Sequence, residues 1–447
     1  MSSDLSQALR SVRLDAGEWS FVDLRIDIPP LSYGSDAANP HTQYSNAVAM
    51  LHSDSQMGIG AAFTLGEGNQ LLCEAAQYIV GQLSGVTVGD LMDSSLGFYE
   101  TLANPLQLRW LSPYAGVPMM AAGLISNTVI DAAAKRAGLP AWEFLAKLPT
   151  SDLMSLVSLR HIGPRFRATE VAERIESTAA TVDERCEELR SAGLPVYYTT
   201  WIGHSANDVA SQIKEQSASR GIKLFKVKIG PNIDSDLRKL AEIQSQLPAG
   251  IALAVDANQT LTYSQAVEWL RVLSDRGIKW LEEPFAPDNV QLFADLARQR
   301  RVEGLDCEIA TGENCPNPHT AAALIGSGLD RFQADPCRMM GLVDGMVTAL
   351  LAQRQGCEFT PHAGGTGLDE LSPHLQLLNL ARVDVRRDPQ STLTENVGFC
   401  SHLYAQPTDV RDGVARTPVD AGYLVGYSSG VVDRMQDFRE GISWLAL

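Results

Sequence analysis

Seven ionisable residues recur through the middle of the chain: Lys226, Lys228, Asp256, Glu282, Glu313, Asp335 and His362. From Lys228 onward they stand 28, 26, 31, 22 and 27 residues apart. Three of them, Asp256, Glu282 and Glu313, are carboxylates on successive intervals. Converging carboxylates repel unless they are protonated or neutralised by a cation. An all-oxygen set without His or Cys suits Mg²⁺ or Mn²⁺ and disfavours zinc. Taken singly, each acid also reads as a solvated strand end; the joint spacing favours a metal site. Lys226 and Lys228, two apart in FKVKIG, project from one face of a strand, and the flanking Phe225, Val227 and Ile229 imply burial. Two inward ammonium groups lower each other's pKa, and burial adds to that, which poises one as a base. A lone His362 reads first as a structural group. Asp335, one interval earlier, changes that reading, because it is placed to accept from one imidazole nitrogen and set the tautomer.

The elements that must carry these groups repeat. From about residue 195, short apolar runs alternate with amphipathic segments: LFKVKIG before DLRKLAEIQSQL, IALAVDANQ before SQAVEWLRVLSDRG, IKWLEEP before NVQLFADLARQR. CEIATGE, RFQADP and CEFTPH continue the series. This is βα repetition around a parallel sheet, and six or more such units favour a barrel. Each strand-like run ends in one of the polar groups, which is where barrel enzymes place their chemistry. Residues before about 150 read differently. Two strand-like runs, WSFVDLRIDIPPLS and AVAMLHSD, and FTLGEGN precede helical patterns around 70–84 and 117–146, as in an α+β domain.

Composition narrows the function. The chain has 447 residues, 45% hydrophobic and 20% charged, with a net charge of −17. Such an acidic chain is poorly suited to nucleic acid or an anionic membrane, so an anionic substrate must be held locally by a metal or placed lysines. The seven dispersed cysteines lack a C-x-x-C pair and read as reduced thiols, with Cys315 and Cys337 as packing groups. No signal peptide and no run of about 18 apolar residues is recognisable, so a cytoplasmic location is expected.

Together K-x-K, D-x-N-Q, W-x-E-E-P, G-E-N, the following Asp and P-H-A-G-G resemble the mandelate racemase branch of the enolase superfamily. The segments GSDAANPHTQYS, FTLGEGN, QLRWLSPYAGV, KRAGLPAWEFLA, PVYYTTW and HAGGTGLDEL further resemble sugar-acid dehydratases of the L-fuconate and L-galactonate type. The resemblance runs from about residue 20 to residue 430. It implies an α/β fold: a modified (β/α)₇β TIM-type barrel over residues 156–403, with an α+β capping domain from residues 1–155. The C-terminal segment 404–447 would return to that cap. It implies Mg²⁺ on Asp256, Glu282 and Glu313, with Lys228 and His362 on opposite faces of the substrate and Asp335 orienting His362. Glu395 matches the family's last-strand acid, 33 residues after His362. Implied substrate contacts are Gly34, Ser35, Asp36 and Tyr44 from the cap, with Lys226 and Trp280 from the barrel.

One departure bears on the substrate. Glu67 stands where these dehydratases commonly carry Arg, either accepting hydrogen bonds from distal hydroxyls or facing water. The expected activity is Mg²⁺-dependent removal of water from a sugar acid through C2 proton abstraction and an enediolate, giving a 2-keto-3-deoxy acid. Racemisation or epimerisation of a 2-hydroxy acid on the same scaffold is the alternative, since bases on both faces can exchange the α-proton. A retained binding protein would be favoured by loss of a ligand or base, and none is lost. The expected partners are a small sugar acid and further copies of the chain in a homo-oligomer.

Overall fold

A computed structural model describes residues 2–27, 43–53, 56–163, 166–200, 205–398, 400–422 and 427–446. The N-terminal region builds an antiparallel sheet from β1 (Trp19–Asp27), β2 (Gln43–Ser53) and β3 (Gln56–Thr64). Helices Gly68–Val80 and Gly116–Ala137 cover it. The second is long and apolar enough to cross a membrane, yet almost all of it is buried inside the protein, as a core helix must be.

The second unit is the barrel. Its parallel strands are β4 (Leu194–Thr199), β5 (Leu224–Lys228), β6 (Ala252–Asp256), β7 (Trp280–Glu282), β8 (Glu308–Thr311), β9 (Arg331–Phe332), β10 (Glu358–Phe359) and β11 (Thr394–Asn396). They pair in sequence from β4 to β10, and β11 returns to lie parallel beside β4. Among the described residues, seven α-helices, from Ala206–Arg220 to Leu368–Leu378, separate the eight strands. Local sequence starts and stops them. The side chains of Ser205, Asn232, Thr262, Asn289 and Asn317 each accept a backbone N–H from the first turn. The barrel interior holds Tyr197, Ala254, Trp280 and Ala310. Between β10 and β11 the join is made by side chains: Gln376 Nε2 donates to Phe359 O and Leu393 O, each at 3.3 Å.

The C-terminal segment links both units. A hairpin of β12 (Val410–Arg411) and β13 (Val414–Ala415) pairs with the start of β4, and β14 (Ser443–Ala446) joins the cap sheet parallel to β1. The strand ends differ in one respect from the sequence pattern. Lys228, Asp256 and Glu282 do end strands, but Glu313, Asp335 and His362 follow theirs by two or three residues. Ladder-like bonds nonetheless continue to that depth, from Thr360 N to Phe332 O at 2.9 Å and from His362 N to Ala334 O at 3.0 Å. Pro361, between them, has no N–H to donate.

Candidate active site

Strand register sets half of the site. Lys228 pairs with Asp256 and Asp256 with Glu282, so their side chains leave the sheet at one height and on one side. Glu313 arrives from a loop. Gly312, at φ +144°, lies so close to β9 that a Cβ would meet Gln333 N at 2.6 Å, and the chain turns there. One carboxylate oxygen each from Asp256, Glu282 and Glu313 then falls within 4.8 Å of the others.

Cationic groups flank this triad. Lys228 Nζ meets Asp256 Oδ2 at 2.6 Å. Lys226 Nζ bonds Glu282 Oε1 and lies 3.0 Å from Glu395 Oε1 and 3.5 Å from Asp256 Oδ2. On the opposite flank, His362 Nδ1 is 3.0 Å from Asp335 Oδ2, and its Nε2 is 3.1 Å from Glu313 Oε2. Asp335 is itself held by the Cys337 N–H, at 2.7 Å. The Ala363 N–H donates to Glu395 Oε2 at 2.9 Å, which ties the last strand to the loop carrying His362.

Burial and charge oppose each other throughout. Burial raises the Glu282 carboxyl to about 7, against the pull of Lys226. Burial acts likewise on Asp256, but Lys228 and Lys226 outweigh it and hold that carboxyl below the usual range. Burial disfavours the His362 cation, yet Glu313, Glu395 and Asp335 together raise it to about 9. Carboxylates outnumber cations in this cluster, and the donors are all oxygen. That is the environment a hard divalent cation requires, and Asp256, Glu282 and Glu313 are the residues that would hold it.

Residues 208–428 match the family described as Enolase C-terminal domain-like. The chain is 30% identical to L-galactonate dehydratase of Hypocrea jecorina over 419 residues, 92% of each chain. The chain belongs to the enolase superfamily. The human mitochondrial enolase superfamily member 1 superposes with a TM-score of 0.87 at 28% identity, covering 96% of this chain and 97% of that one. An L-talarate/galactarate dehydratase from Salmonella typhimurium, solved with Mg and L-lyxarohydroxamate, has a TM-score of 0.69 at 22% identity. The match covers 94% of this chain and 92% of that one, and it shows the shared fold.

In this superfamily member the residues expected to act are not all placed as expected. Lys228, His362, Asp335, Glu395 and the three acids form one contiguous cluster. The lysine pair departs from expectation: both ammonium groups are raised above their ordinary value. Burial lowers each, but the facing carboxylates, Glu282 and Glu395 on Lys226 and Asp256 on Lys228, outweigh it. Lys226 and Trp280, expected to touch substrate, are each only 1% exposed. Lys226 is taken up by acids, and Trp280 Nε1 donates to Glu282 Oε2 at 3.0 Å. Tyr44 is buried in the cap with its ring edge-on to Phe63, centroids 5.0 Å apart. Gly34, Ser35 and Asp36 lie outside the described residues. Glu67 is exposed at the start of helix Gly68–Val80 and makes no capping bond.

One polar group entered the site without having been singled out in the sequence. Gln333, fully buried, donates to Glu282 Oε2 at 2.6 Å and to Tyr197 OH at 3.3 Å. Thr199 donates to Glu395 Oε1. The available signal for Gln333 was its position two before Asp335, an uncharged polar residue directly after the strand Arg331–Phe332.

Proposed function

We propose that this chain is a Mg²⁺-dependent hydro-lyase that removes water from a sugar acid, an aldonate of the L-fuconate or L-galactonate type. The observation that carries this reading is the pair of proton-transfer groups flanking the acid triad, Lys228 against Asp256 and the His362–Asp335 dyad against Glu313. The L-galactonate dehydratase relative, aligned over nearly the whole chain, supports the substrate class. Bound to the three acids, Mg²⁺ would neutralise the substrate carboxylate and the charge that develops as C2 loses its proton.

The protein's own groups perform the remainder. The Asp256 carboxylate keeps the Lys228 ammonium protonated; with that charge offset by Mg²⁺, the neutral amine removes the C2 proton. His362 donates its proton to the hydroxyl on C3 as that C–O bond breaks, so one water leaves, and the resulting enol tautomerises to a 2-keto-3-deoxy acid. Asp335 holds Nδ1, and Nε2 is the nitrogen turned to the triad, 3.1 Å from Glu313 Oε2 and accepting from the Gly364 N–H at 3.0 Å. Lys226, Gln333 and Trp280 fix both oxygens of Glu282, which keeps that carboxylate aimed without a search through rotamers.

A library of aldonates incubated with enzyme and Mg²⁺, assayed for 2-keto acid, tests the proposal. Formation of a 2-keto-3-deoxy product from at least one aldonate is expected. Exchange of the C2 proton with solvent, with inversion and no loss of water, would overturn it in favour of an epimerase.

A further inference from the structure

Asp256 and Glu282 are held by strand register, but Glu313 is not. It sits two residues beyond β8, is partly exposed, and has one oxygen 3.1 Å from His362 Nε2. That contact gives the carboxylate a competing partner outside the acid triad. The opposing hold comes from Asn314, whose Nδ2 donates to Glu313 Oε1 at 3.1 Å. The same amide donates to Glu283 Oε1 at 3.1 Å.

Glu283 is anchored from every side. It is 1% exposed, and Gln259 Nε2 reaches its two oxygens at 3.3 and 3.2 Å. Its backbone accepts from Gln259 N at 2.7 Å and donates to Ala310 O at 3.0 Å. Asn258, Gln259 and Glu283 all have left-handed backbones, φ +42°, +65° and +42°. Non-glycine residues keep that conformation only where their surroundings over-determine it. The turns after β6, β7 and β8 are therefore locked to one another at the height of the acid triad.

We infer that Asn314 and Glu283 are positioning residues for the metal, with the Gln259–Glu283–Asn314 chain holding Glu313 in ligating position against the competing contact with His362. This rests on the metal-site reading proposed above. Partners that orient metal ligands in this way are worth about 10- to 100-fold in metal affinity.

Mn²⁺ binding to the purified full-length chain, measured by equilibrium dialysis, separates the two ideas. The wild type should bind Mn²⁺ and Glu282→Gln should not; equal binding by both would overturn the metal site itself, and with it this inference. Given that difference, Asn314→Ala and Glu283→Ala should each weaken Mn²⁺ about 10- to 100-fold, with an unchanged melting temperature for Asn314→Ala without metal. Glu283→Gln, which keeps an acceptor for Asn314, should bind within about threefold of wild type. The double variant should be little weaker than either single one, because both act through one chain of bonds. Asn314 is half-exposed, so its variant remains informative even if Glu283→Ala fails to fold. Wild-type affinity in Asn314→Ala, or losses that multiply in the double variant, would overturn the inference.

Discussion

The proposed division of labour between Lys228 and His362 rests on their neighbours. Lys228 pairs with Asp256 on one flank of the triad, whereas His362 bridges Asp335 and Glu313 on the other. If Lys228 takes the C2 proton, Lys228→Ala should lose both dehydration and C2-proton exchange in D₂O, each by about 10²-fold or more. His362→Asn should lose dehydration and retain exchange, since only the second step needs its proton. NMR in D₂O reads both events in one sample. The reverse pattern would exchange the two roles, and unimpaired dehydration in both variants would remove them from the mechanism.

At the scale of elements, the long cap helix Gly116–Ala137 sits directly on the loop that follows Asp335. Asn127 donates to Pro336 O at 3.2 Å and accepts from Leu342 N at 3.1 Å. Gly123 lies so close to this loop that a Cβ there would stand 2.0 Å from Met339 O. Gly123→Val must therefore push cap and loop apart. A loss of about 2–3 kcal/mol in urea unfolding is expected, together with reduced kcat as Asp335 shifts. A second contact titrates. Asp344, on helix Gly341–Gln355, accepts from Tyr99 OH at 3.1 Å and Met340 N at 2.9 Å, while its other oxygen is buried without a partner. Burial raises this carboxyl to about 7. The unfolded chain loses that proton near the ordinary value of 3.8, so the folded state binds more protons between the two values. Its contribution to stability falls as pH rises from about 4 to 7 and is level above that. Asp344→Asn should thus flatten the decline in melting temperature between pH 5 and pH 8. A decline equal to that of the wild type would show that Asp344 does not titrate in this range.

For the whole molecule, the net charge of −17 works against an anionic substrate, so attraction must be local and must depend on the metal. EDTA should abolish turnover and added Mg²⁺ restore it; full activity in chelator would sink the metal assignment. Binding to the folded state alone also stabilises it, by about 2.7 kcal/mol at a Mg²⁺ concentration 100 times Kd. The wild type should therefore melt higher in saturating Mg²⁺, and Glu282→Gln should lose that increment.

Much of this was legible in sequence because a parallel βα repeat brings successive strand ends to one height. Regular spacing in the chain then becomes proximity in space, as for Lys228, Asp256 and Glu282. The barrel and its cap were legible from the same periodicity and from the motifs. Other features required the closed fold. Glu395, weakly marked by its spacing, reaches Lys226, Thr199 and Ala363 only because β11 pairs with β4, some 200 residues away in the chain. The shift of the lysines depends on how many carboxylates face them, and alternation along one strand reports only which side they leave. Burial of Trp280 and Gln333 against Glu282 is likewise a property of the filled interior. The sequence by itself determined which chemical groups gather at the mouth of the barrel. Which of them hold one another, and with what charge, was decided by tertiary structure, because contacts across a closed sheet and the loss of water around them are set by all the strands at once.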